Sequence, residues 1–230
     1  ADELIVGVRL LPLFAGNVDV TDLDFRHVNI NTAQLVPSAR VKGGVGRLKV
    51  EPSRVALRKE KVALGPVFLA DANLDIALSD TVPEDTTKTE NKWQIAFSRL
   101  AVKRSAVKIH MPGDTLAIGV GLTDASATDG DINLGTGIYK VGTFDWRDGF
   151  VNYDNNFAMR QKGLDVNHIA LKGVSLRIDS LCFEQEATKL QLALNRCAFR
   201  EQSGLSVTDA KGHVLLDTAH ISLPDFRLTT

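Results

Sequence analysis

Aromatic residues are scarce in this chain, 6% of its 230 residues, so platforms on which nucleobases or sugar rings stack are few. Charge of one sign is not in excess either. Lys and Arg number 27 against 28 Asp and Glu, a formal net charge of -1, which leaves no electrostatic ground for a nucleic acid or an anionic membrane surface as partner. Cysteine is limited to Cys182 and Cys197, a usage that neither demands an oxidising compartment nor excludes one. They read as small buried hydrophobes in neighbouring strands or as a pair bridged across a sheet. Long hydrophobic runs are missing: the longest, VALGPVFLA (62–70), falls short of the ~20 residues a membrane-spanning helix needs. No stretch combines helical period with caps. The nearest, EKVALGPVFLADA (60–72), is broken by Gly65 and Pro66.

What is there is alternation. In NVDVTDLDFRHVNIN (17–31) apolar and polar residues take turns, with a slip across the two residues between Val20 and Leu23 that reads as a bulge or turn separating two pieces that keep facing inward. The same pattern recurs in RLKVE, RVALR, NLDIALSD, WQIAFSRLAV, TLAIGVGL, VSLRIDSL, KLQLALN, GLSVTD and HVLLDTAHISL. Residues two apart in a strand share a face, so the chain is expected to be mainly β: an elongated, curled antiparallel sheet with an apolar concave face and little helix. Turns are expected at KGGVG (42–46), PGD (112–114), TDGD (128–131), RDG (147–149) and DAKG (209–212). The polar segment SDTVPEDTTKTENK (79–92) is expected to be a hairpin tip or an inter-repeat loop, or else a point of sub-division in what otherwise reads as a single repetitive module over 1–230. A second irregular region from residue 143 gathers Phe144, Trp146, Phe150, Tyr153 and Phe157 into an aromatic knot. No fixed period between repeats is evident.

The motifs of catalysis are not met, and the chain is not expected to be an enzyme. His27, His110, His168, His213 and His220 are dispersed, with no His or Cys partner at ligand spacing, so no metal or other cofactor is expected. Asp124, Asp129 and Asp131 sit around a glycine without the spacing of a calcium loop. Ser203 lies beside Gly204 but outside a nucleophile elbow. GGVGR (43–47) lacks the lysine of a phosphate loop. Asp145 and Asp148 flank Trp146 as a glycosidase pair would, although such a pair is defined by its separation in space.

Five stretches carry a family likeness: VRLLPLFAGNVDVTDLDFRHVNINTAQL (8–35), ALSDTVPEDTTKTENKWQIAFSRLAVKRSAVKIHMPGDT (77–115), FDWRDGFVNYDNNF (144–157), GLDVNHIALKGVSLRIDSL (163–181) and CAFREQSGLSVTDAKGHVLLDTAHISLPDFRLTT (197–230). Together they resemble the N-terminal part of Bacteroidetes TamB-like proteins, members of the AsmA-like group and bacterial relatives of chorein-type bridge proteins. The resemblance implies a piece of a larger periplasmic protein anchored in the inner membrane. Its strands would curl into a half-open tube that conducts phospholipid towards the outer membrane, with an Omp85-type (TamA-like) partner contacted through other parts.

On that reading the lining consists of Val18, Val20, Leu23 and Phe25, then Leu74, Ile76 and Leu78, Ile95 and Phe97, Leu116 and Ile118, Leu176 and Ile178, and Leu190, Leu192 and Leu194. Aliphatic side chains suit acyl chains, which need burial and no hydrogen-bond code. The alternative is a structural or adhesin-like β module with a dry core that docks a protein partner.

Overall fold

The computed structural model describes residues 3–9, 17–32, 39–78 and 92–230. Extended chain dominates them: β1 (Glu3–Arg9), β2 (Asn17–Asn31), β3 (Ala39–Val50), β4 (Ser53–Ala56), β5 (Lys61–Leu64), β6 (Val67–Leu78), β7 (Gln94–His110), β8 (Leu116–Asn133), β9 (Ile138–Asn155), β10 (His168–Glu184), β11 (Lys189–Glu201), β12 (Ser206–Val207), β13 (Asp209–Leu216), β14 (Ile221–Ser222) and β15 (Arg227–Thr229). The helical residues described are two single 3-10 turns, Leu57–Lys59 and Pro112–Asp114. Strands β7 to β10 run to 17 or 18 residues, so the sheet is long along its strands, about 55–60 Å if straight.

All fifteen strands belong to one curled sheet. Both β3 and β4 pair with the same edge of β2 in one uninterrupted register, Leu23↔Val50 leading on to Val20↔Ser53. They form a single strand nicked at Glu51–Pro52. Likewise β5 and β6 pair with β7 in one register, Leu64↔Phe97 and then Val67↔Leu100, as a strand nicked at Gly65–Pro66. Proline cannot donate to a ladder, so both nicks lie where a donor is forfeited. The order is then β1, β2, β3/β4, β5/β6, β7, β8, β9, β10, β11, β13, with β12 beside β11 and β14 and β15 beside β13. All junctions are antiparallel except the one between β5/β6 and β7. The segment expected as a hairpin tip, an inter-repeat loop or a point of sub-division, 79–92, lies outside the described residues except for Lys92.

Four of the five expected turns are corrected. PGD is a turn, but KGGVG lies inside β3, TDGD inside β8, RDG inside β9 and DAKG inside β13. Asp–Gly chemistry marks left-handed backbone, and in this sheet that backbone occurs in mid-strand. His27 (φ 48), Asp71 (φ 54), Arg104 (φ 44) and Asp148 (φ 52) occupy strand interiors, and the registers place them on one line across the sheet through Gly46 and Thr123. Asp129 (φ 54) and Ser180 (φ 56) lie on a second line, meeting at Gly142 and level with the two nicks. Glycine is required where a left-handed aspartate presses on its neighbour: a Cβ on Gly46 would come within 2.7 Å of the Asp71 Cβ, and one on Gly142 within 2.9 Å of the Asp129 Cβ.

At each line the pleat loses its alternation, and apolar residues three apart share a face. In β7 the apolar positions run Ile95, Phe97, then Leu100, Val102, then Val107, Ile109; in β9 they run Tyr139, Val141, then Phe144, Trp146, then Val151, Tyr153. Apolar doublets thus recur at steps of five and then seven residues within both strands, a spacing not evident from the sequence reading. Irregularities of this kind bend the strand that carries them. Aligned across many strands, they bend the whole sheet along a line, which accounts for the curl.

Candidate functional site

The register converts these doublets into continuous apolar rows running across the strands. One row passes through Leu4, Phe25, Leu48, Leu69, Val102, Ala125, Trp146, Leu176 and Cys197, each the direct cross-strand partner of the next. A second passes through Val6, Leu23, Val50, Val67, Leu100, Ala127, Phe144, Ile178 and Leu194. A third, beyond the nicks, joins Val18, Val55, Val62, Ile95, Ile132, Tyr139, Phe183 and Leu190. Nine strands at about 4.8 Å spacing give each long row a span near 38 Å along the curve.

The rows make one packed layer. Val102, Ala125, Trp146 and Val174 form its buried centre, with Leu69, Leu100, Leu122, Phe144, Leu176 and Phe199 packed around them. Among the described residues no large side chain is fully buried, and the buried apolar set is mostly Ala and Val. Most of the larger side chains in the rows are half-buried, Trp146 and Ile178 being buried, and among the described residues every strand belongs to the one sheet, so no separate second sheet packs on this layer. A β-sandwich covers such a face with a second sheet about 10 Å away.

All sixteen residues expected to line the groove lie in strands and are half-buried, except Ile178, which is buried. Leu23, Ile178 and Leu194 share one row, Phe25 and Leu176 another, and Val18, Ile95 and Leu190 a third. Val20 and Phe97 lie beside the nicks, and Leu192 pairs with Val214. Leu74, Ile76, Leu78, Leu116 and Ile118 lie towards the opposite end, where Leu74 neighbours Val107 and Ile118 faces Ile109. The centre of the layer, Leu100, Val102, Phe144 and Trp146, was missed as lining. Its signal is the step of three between Phe97 and Leu100 and between Val141 and Phe144. The aromatic knot is likewise corrected: Phe144 and Trp146 belong to the apolar layer, Phe150 lies against Gly121 with 38% of its surface exposed, and Phe157 is 76% exposed.

The opposite face is polar and laced by ion pairs. Asp24 accepts from Arg47 Nε and Nη2 and from Arg26 Nη2, all at 3.0 Å, and the Arg47 guanidinium holds its carboxyl below the usual carboxylate range. Further pairs join Asp19 to Arg54, Asp71 to Arg104, Lys103 to Asp124, and Asp145 to both Arg147 and Arg177. Asp145 is thus committed to two guanidinium groups and Asp148 sits on a bulge, an arrangement unlike two carboxyls facing each other across a polar cleft. Asp124 is paired with Lys103 and Asp131 accepts from Gln94. No cluster of metal-ligating side chains occurs among the described residues.

At one end of the sheet the buried pair Asp165–His168 (Oδ2 to Nδ1, 2.9 Å) ties the β9–β10 connection to the strands, and Glu201 caps the adjoining hairpin by accepting from the Ser203 and Ala170 N–H groups. The Ser203 backbone is therefore part of a turn cap. The cysteines are both free. Cys182 lies beside Gln191 and Cys197 faces Leu176, six residues apart along β10, about 20 Å and beyond the reach of a disulfide. The bridged alternative is thereby set aside. No described helix is long and apolar enough to cross a membrane.

No family model matches the chain, and no curated protein matches it.

Proposed function

We propose that this chain is a lipid-binding stretch of a periplasmic bridge protein, in which the curled sheet holds acyl chains against its apolar face. The observation that carries the reading is the continuous apolar layer across nine strands, on which no separate second sheet packs among the described residues. An apolar surface of this extent in water is unfavourable by about 25 cal/mol per Å², and exposed patches of such size mark a binding surface. The surface is aliphatic and its rows present no ladder of polar groups, which fits alkyl chains and gives little purchase to sugars or nucleotides. Each methylene laid on it gains roughly 0.8 kcal/mol.

The bulge lines support the same use. They curl the sheet while keeping every apolar row on the inside, so a chain lying along the strands stays in contact from one bend to the next. The likeness of the sequence to TamB-like, AsmA-type proteins agrees with a conduit between inner and outer membranes, anchored and partnered through other parts of that protein. The chemistry asked of the chain is solvation rather than catalysis.

Native mass spectrometry of protein purified without detergent tests the reading. Phospholipid bound to the folded chain is the expected result. A folded chain free of lipid, and unable to take up a fluorescent fatty acid, would favour a protein partner on that face.

A further inference from the structure

The polar face carries a second feature that the acyl reading does not use. Along most of that face cations and carboxylates pair from strand to strand, as with Asp71–Arg104 and Lys103–Asp124. On β10 and β11 the pattern reverses. Lys172 has Arg200 as its direct cross-strand partner, and Arg177 has Arg196. Like charges directly opposite one another destabilise a sheet, and Arg177 alone of these four finds carboxylates, Asp145 and Asp179.

Lys172, Arg196 and Arg200 surround a cavity of about 470 Å³ whose walls also include Ser175, Ser206 and Thr208. No Asp or Glu lines it. The wall turns at Gly173, which has φ 60 and open space where a Cβ would stand. Three cations and the hydroxyls of Ser175 and Ser206 around one cavity form a donor set without an acceptor of matching charge. Where a sequence breaks a local rule this plainly, the repulsion points to a ligand that relieves it.

We infer that this cavity binds a phosphate-type oxyanion. Arg196 and Arg200 offer planar forks that match tetrahedral oxyanions, Lys172 adds a point charge, and the hydroxyls of Ser175 and Ser206 donate to the remaining oxygens, the Thr208 hydroxyl being engaged with the Thr229 carbonyl. The site is on the side of the sheet opposite the apolar rows, since Lys172 and Ser175 alternate with Leu171, Val174 and Leu176 of the apolar layer. A lipid whose tails lie along those rows therefore does not place its own headgroup here. The phosphoryl group comes from a soluble phosphorylated molecule or from a lipid presented to the outer face.

Isothermal titration with inorganic phosphate and glycerol phosphate, together with co-sedimentation on vesicles of phosphatidylcholine with and without phosphatidic acid, tests the site. Expected is saturable binding of at least one phosphoryl probe, weakened at least tenfold in Arg196→Gln/Arg200→Gln. The control Arg58→Gln/Lys59→Gln, which removes the same charge from the exposed turn after β4, leaves it unchanged. Binding of the soluble probes alone identifies a soluble ligand, and a requirement for phosphatidic acid identifies a headgroup. No saturable binding of any probe by the folded protein overturns the inference, as does equal weakening by the control variant. Loss of lipid from the apolar face leaves these outcomes untouched.

Discussion

Asp71 and Arg104, both in left-handed backbone in adjacent parallel strands, are joined by a two-pronged ion pair, Nε to Oδ1 at 2.7 Å and Nη2 to Oδ2 at 2.8 Å. The pair lies on one of the two bend lines, with the apolar side chains Leu69 and Val102 abreast of each other two residues before it. The left-handed backbone turns both charged groups outwards, where they meet.

If the backbone conformation sets the bend, glycine serves at both positions and a β-branched residue does not. Asp71→Gly/Arg104→Gly is expected to keep the wild-type melting temperature within a few degrees. Asp71→Val/Arg104→Val is expected to lose about 4–8 °C, because each β-branched residue is strained at positive φ. Thermal unfolding followed by circular dichroism compares the two, and equal losses would disprove the point.

Trp146 is 7% exposed at the centre of the apolar layer, and its indole Nε1 has no hydrogen-bond partner. Trp146→Phe is expected to cost under about 1.5 kcal/mol, since the shape is largely kept and no polar contact is lost. Trp146→Ala is expected to cost about 3–5 kcal/mol through the void it leaves. Urea unfolding curves measure both.

The acid limb of stability is expected to depend on Asp24. Its folded pKa lies below the ordinary 3.8 chiefly because of the hydrogen bonds from Arg47, with Arg26 adding to them. A depressed carboxyl contributes its stability in full above the unfolded pKa and loses it as pH falls through the folded value. Melting temperature should therefore drop below about pH 4 in the wild type, and Asp24→Asn should be less stable at neutral pH with a flatter acid limb. An unchanged acid limb in the variant would place the sensitivity elsewhere, with Asp165, lowered by the Gln161 N–H and His168, the next carboxyl to replace.

A charge in the middle of an apolar row should expel lipid before it unfolds the sheet, because Leu69 and Leu100 are half-buried at the margin of the packed centre rather than within it. Leu69→Asp and Leu100→Asp are expected to cut co-purifying phospholipid at least fivefold while keeping the β-sheet spectrum. Full lipid retention in both would sink the acyl-chain reading.

Thiol counting on unfolded, unreduced protein is expected to give two free thiols. In the folded state Cys197, whose thiol burial pushes up, should react with a maleimide more slowly at neutral pH than the unfolded chain does.

Much of this was legible in residue order. Leu74, Ile76 and Leu78 announce a strand with one apolar face by themselves, and the slip from Val20 to Leu23 announces a bulge that keeps the face inward. The Asp–Gly pairs at 129–130 and 148–149 were misread as turns because a left-handed residue looks the same in a turn and in a mid-strand bulge. The flanking strand length, 18 residues in both β8 and β9, was needed to tell them apart. The cavity bounded by Lys172, Arg196 and Arg200 was invisible for another reason: a net charge of -1 conceals a cluster assembled from two strands.

Residue order alone determined which segments extend and which side of each is apolar, because alternation is a property of a few neighbouring residues. Tertiary structure decided the register that aligns the bulges into bend lines, the parallel step between β6 and β7, and the joining of apolar doublets into rows across the strands. These depend on what lies about 5 Å to the side of a strand, a distance that chain separation along the sequence does not encode.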